Sequence, residues 1–72
     1  MQKQKELLKK IEDFKTEFIE SKIDEYLERG VQDLEYLHFG VRNNNLDIID
    51  AVVKLTYDEE IHDLALEIAN QL

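Results

Sequence analysis

Two Glu-x-x-His pairs, Glu35 with His38 and Glu59 with His62, are the first residues of this chain whose types and spacing could do chemistry. On a helix that spacing sets a carboxylate and an imidazole one turn apart. Carboxylate-bridged di-metal bundles use two such pairs plus one Glu from each of two further helices, all turned inward. The surroundings do not supply that setting: Glu59 and His62 flank an apolar stripe instead of sitting in it. In a chain with 17 Asp and Glu among 72 residues, such pairs also arise by chance. Ser21 is the one serine and has no His near it in sequence, and there is no phosphate-cradling Gly-rich loop and no zinc-protease motif. The expectation is a non-enzyme, with no catalytic residue, cofactor or metal.

Carboxylates in a row offer a different chemistry. Asp13, Glu17, Glu20, Asp24 and Glu28 recur every three or four residues and would line one face of a continuous helix. Like charges four residues apart cost about 0.2–0.5 kcal/mol per pair, and a face meant only for solubility would mix its signs. Such a ridge suits a basic partner, as an imitation of a nucleic-acid backbone or a plug for the basic groove of a DNA-binding protein or toxin. The plainer alternative is a solvated face of an acidic protein.

Composition narrows the classes further. The formal net charge is −8, and it is uneven: Lys3, Lys5, Lys9 and Lys10 against Glu6 make the first ten residues +3, whereas the remainder carries five basic and sixteen acidic residues, −11. Phosphate backbones are bound by clusters of Lys and Arg, so direct nucleic-acid binding is not expected. No apolar run approaches the roughly 20 residues of a membrane span, and the N-terminus has no apolar signal core; no membrane contact and a cytoplasmic location are the expectation. Without Cys, neither a disulfide nor a thiolate metal site can support the fold. A core this small supplies no more than about 3–5 kcal/mol, which makes association with another chain an attractive source of stability.

There is no Pro, and Gly30 and Gly40 are the only glycines, so hydrophobic periodicity decides the elements. The pattern predicts an all-α fold of four helices filling one domain over residues 1–72. A long first helix spans 2–29 and ends at Gly30 as a left-handed cap; a compact three-helix remainder occupies 33–72. Within the remainder, a short second helix over 33–42 turns Leu34, Leu37 and Val41 inward. A third, over 46–55, has Asp47, Asp50 and Lys54 on its single polar face and is expected to be the most buried. A fourth opens at "TYDE", where Thr56 and Glu59 have capping-box spacing, and presents Tyr57, Ile61, Leu64, Ala65, Ile68 and Leu72 as its stripe.

The stretch "LHFGVRNNNLDIIDAVV", residues 37 to 53, resembles the helix-turn-helix core of an ankyrin repeat. Leu37, His38, Leu46 and Ile48 match that family's pattern, Gly40 and Val41 occupy its small-residue pair, and Asn44 takes the place of its turn glycine. The resemblance ends at this stretch: no Thr-Pro precedes it, and the family's period of about 33 residues does not recur. It implies a geometry only, a tight antiparallel hairpin of helices turning at Asn43 to Asn45.

A helix of 28 residues would be roughly 42 Å long, well beyond the reach of its companions. It would also carry two stripes. Leu8, Ile19, Ile23, Tyr26 and Leu27 are assigned to the protein's own core, which leaves Leu7, Ile11, Phe14 and Phe18, in the 4-3-4 spacing of a coiled-coil seam, free to bind another chain. The plainer alternative is a monomeric bundle in which the first helix bends, or breaks near Thr16, and folds all its apolar residues onto the third and fourth helices. The expected function is therefore a protein-protein interaction module, a homodimer or a small helical subunit held through those four residues. The alternative is an acidic antagonist that neutralises a basic partner through the Asp13 to Glu28 ridge.

Overall fold

The computed structural model describes residues 2–22 and 24–72, and of Asp24 the backbone alone. The fold is all-α: α1 Gln2–Ser21, α2 Asp24–Arg42, α3 Leu46–Leu55 and α4 Glu59–Gln71. Each helix packs on the next, and α2 touches all three others. Two polar ties fix the directions. Gln4 Nε2 donates to the carbonyls of Val41 (2.8 Å) and Arg42 (2.9 Å), which puts the start of α1 beside the α2–α3 turn. Lys22 Nζ lies 3.8 Å from Asp58 Oδ2, which puts the end of α1 beside the α3–α4 turn. The four helices run alternately up and down.

The expected rod over 2–29 is two helices. α1 stops at Ser21, and α2 starts at Asp24 instead of Asp33 and runs straight through Gly30, within a body whose longest dimension is 34 Å. The reason lies in phase. At about 100° per residue, Leu34, Leu37 and Val41 sit roughly 140° around a straight helix from Leu7, Ile11, Phe14 and Phe18. One straight helix cannot bury both stripes against the same core, whereas a reversal brings them face to face. Ser21 Oγ and the Lys22 amide both donate to the Phe18 carbonyl at the end of α1.

That reversal exchanges the two stripes of α1. Leu7 (3% exposed), Ile11 (1%) and Phe18 (3%) are core, and Phe14 packs half-buried against it with its ring stacked on Phe18, centroids 6.3 Å apart. The docking stripe expected from periodicity is thus the inside of the protein. Of the residues assigned to the core, Leu8 and Leu27 pack partly buried against it, whereas Ile19 and Tyr26 are exposed. Ile23 lies outside the described residues.

Gly30 is helical and buried, not a cap; a Cβ there would overlap the Phe18 ring. The hairpin suggested by the ankyrin-like stretch is present. α2 ends at Arg42, Asn44 takes the left-handed φ of 52° that the turn requires, and α3 comes back so close that a Cβ on Gly40 would lie 2.8 Å from Ile49 Cγ1. Leu34, Leu37 and Val41 are buried as expected, and α3 has the expected bounds. α3 is not the most buried helix, however: Ile49 and Val52 are its buried residues, while Leu46 and Leu55 face outward.

The start of α4 also differs. Asp58 is the N-cap, its Oδ1 accepting from the amides of Glu60 (2.9 Å) and Ile61 (3.1 Å). Thr56 is already engaged by α3, its amide donating to the Val52 carbonyl while its Oγ1 accepts from the Asp58 amide. Ile61, Leu64, Ala65 and Ile68 are buried, but Tyr57 and Leu72 at the margins of the predicted stripe are exposed.

Candidate protein-binding surface

Alternating helices place residues 13–33 of α1 and α2 and residues 54–63 of α3 and α4 at the same end of the bundle. These segments hold eleven Asp and Glu against four Lys and Arg, so −7 of the net −8 resides at one end. The opposite end carries Lys3, Lys5 and Arg42 and is close to neutral. Charge this segregated sets up a field at the acidic end that attracts cations and basic surfaces.

The predicted ridge is divided by the helix reversal. Asp13, Glu17 and Glu20 remain in register on α1, exposed and turned away from its core stripe; Glu28 is exposed on α2, and the side chain of Asp24 lies outside the description. Asp13 is 3.3 Å from Lys9 in an exposed i, i+4 pair, worth about 0.3–0.5 kcal/mol. Among the described residues, Glu17, Glu20 and Glu28 form no ion pair, so their negative charge is uncompensated there.

A groove of about 680 Å³ opens at this end between the first half of α2 and the α3–α4 turn, lined in part by Glu25, Tyr26, Asp33, Tyr57, Glu59 and Glu60. Its two cations are engaged internally: Lys22 pairs with Asp58, and the Arg29 guanidinium lies 4.1 Å above the Tyr57 ring. What remains is carboxylate and exposed tyrosine face, a lining able to receive ammonium or guanidinium groups by charge and by cation–π contact. Sequence reasoning did not single out Glu25, Glu59, Glu60 or the two tyrosines as a surface. The signal available was the acidic run after Tyr57, which periodicity absorbed into the start of a helix.

The Glu-x-x-His pairs do not converge. Glu35 Oε1 lies 3.5 Å from Lys15, His38 Nε2 lies 3.8 Å from Glu12 Oε1, and His62 is next to Asp63. Among the described residues no three His, Cys, Asp or Glu side chains are grouped as a metal site, and no helix is long and apolar enough to cross a membrane.

Comparison with known proteins identifies one family. The model for the family described as "Bacteriophage inhibitor of histone-like protein HU" matches residues 1–72. A curated relative, "Inhibitor of histone-like protein HU" of Bacillus phage SP01, is 45% identical over 40 residues, a stretch spanning 56% of this chain and 52%, about half, of the relative. No solved structure matches the chain significantly.

Proposed function

The chain belongs to the family of bacteriophage inhibitors of histone-like protein HU, and from this we propose that it is a non-enzymatic inhibitor whose acidic end binds the basic, DNA-contacting surface of a histone-like protein. The observation that carries the reading is the concentration of charge: −7 at one end, with Glu17, Glu20 and Glu28 exposed and unpaired among the described residues.

A histone-like protein holds DNA by replacing phosphate counterions with Lys and Arg. Carboxylates three and four residues apart on a helix, with Cβ atoms about 5–6 Å from one another, offer those same cations an alternative set of anions on a folded scaffold. Binding there and binding to DNA are then mutually exclusive, which is inhibition by competition. Electrostatic attraction speeds the encounter and makes it sensitive to salt. The ridge therefore counts as an interaction surface, in line with the antagonist reading of the sequence, and the compartment of action is wherever the partner meets DNA.

The test is displacement of a labelled duplex from HU. Added inhibitor is expected to release the DNA, less effectively as salt rises. Glu17→Lys combined with Glu20→Lys, both at exposed positions of α1, should weaken HU binding at least about tenfold, roughly 1.4 kcal/mol, with unchanged circular dichroism. A ternary complex in which inhibitor and DNA sit on HU together would defeat the competitive mechanism.

A further inference from the structure

α2 is the hub of the bundle, yet one strip of it faces solvent along its whole length. Glu25, Glu28, Gln32, Tyr36, Phe39 and Arg42 follow one another at steps of three and four residues, and all six are exposed. The strip lies opposite the core face formed by Leu34, Leu37 and Val41. In its middle are two aromatic side chains, Tyr36 at 54% exposure and Phe39 at 44%. Large aromatics and Arg are the residue types enriched where proteins meet, and no described helix of this chain covers these.

Charge along the strip says what fits it. Its N-terminal end is acidic, Glu25 and Glu28, and its C-terminal end is basic, Arg42. An antiparallel copy of the same strip is therefore its electrostatic complement, with each Arg42 reaching the Glu25–Glu28 turn of the other and the aromatic pairs meeting between. The helix dipoles of two antiparallel α2 helices agree with that arrangement. Glu35, the carboxylate nearest the two-fold axis, is matched within its own chain by Lys15 at 3.5 Å, so it adds little repulsion. Arg42 already lies over Phe39, its guanidinium 5.8 Å from the ring centroid, positioned for the crossing contact.

We propose that a second copy of this chain covers the strip, forming a two-fold dimer through antiparallel α2 helices. Such an interface is isologous: one patch meets itself. It also provides the outside support that a 72-residue core needs. In the dimer Glu28 faces Arg42 of the other copy, while Glu17 and Glu20, on α1, stay outside the interface and remain the carboxylates offered to HU.

Sedimentation equilibrium decides it. The wild type is expected near twice the 8.6 kDa chain mass at tens of micromolar. Tyr36→Ser with Phe39→Ser should give a folded monomer by circular dichroism, and so should Arg42→Glu alone. Adding Glu25→Arg and Glu28→Arg to Arg42→Glu exchanges the two ends of the strip and should restore the dimer. A wild type that stays monomeric to millimolar concentration overturns the proposal, leaving the strip to another partner. A dimer that survives both disruptive variants also overturns it, as does a charge exchange that fails to rescue.

Discussion

Phe18 reaches the core because Gly30, across the α1–α2 contact, has no side chain. A Cβ at Gly30 would overlap the ring at Cζ and Cε2, and the ring is held on its other sides by the Phe14 stack and by Lys22, whose Nζ lies 5.7 Å from the centroid. Alanine is the better helix former by about 1 kcal/mol, so Gly30→Ala sets propensity against overpacking. Displacing a core ring costs about 1–3 kcal/mol, and steric cost should win. Urea denaturation should show Gly30→Ala to be less stable than the wild type; an equal or more stable variant would mean that the ring can move freely. In the sequence alone Gly30 reads as a helix terminator, because a glycine's local preference is visible in one dimension and the ring that requires its bareness, Phe18, is a whole helix turn-around away along the chain.

At the scale of the element, helix boundaries were less legible than helix faces. The bounds of α3 followed from its apolar pattern and from the turn at Asn43 to Asn45, where Asn44 can adopt φ 52° with less strain than a branched residue. The start of α4 did not follow, since Thr56 and Asp58 are both competent caps and only the preceding helix decides between them. α3 uses the Thr56 amide to close on Val52, and the cap falls to Asp58. Asp58→Ala removes the one oxygen that accepts from two amides, Glu60 and Ile61, and the partner of Lys22 together. A loss of about 1–2 kcal/mol is expected, seen as a lower midpoint in chemical denaturation, whereas Thr56→Ala should cost less. If the two losses were reversed, the capping box read from sequence would be the correct one.

For the whole molecule, crowding eleven carboxylates and four cations at one end is a cost in self-repulsion that binding a basic surface relieves. Added salt screens repulsion between exposed charges over a Debye length of about 8 Å at physiological strength. Thermal unfolding should accordingly shift upward between low and physiological salt; a downward shift would show that attractive pairs dominate instead. Glu20→Lys should raise the unfolding temperature while weakening HU binding, the trade-off expected where a surface is kept unstable for function. An increase in both would separate Glu20 from the binding surface.

The amino-acid sequence by itself determined the helical class, Leu34, Leu37 and Val41 as inward residues of α2, Ile61, Leu64, Ala65 and Ile68 as those of α4, the turn at Asn43 to Asn45 and the acidity of the ridge. All of these are periodicities or local turn chemistry, which need no knowledge of distant contacts. Tertiary structure alone decided which stripe of α1 is core. A stripe of Leu7, Ile11, Phe14 and Phe18 looks the same whether it meets another chain or its own α2, and the choice depends on a reversal after Ser21 that no Pro or Gly marks. The reversal occurs because two stripes roughly 140° apart cannot share one core on a straight helix. The same fold gathers the carboxylates of α1, α2 and the start of α4 at one end, a charge distribution that no single helix displays.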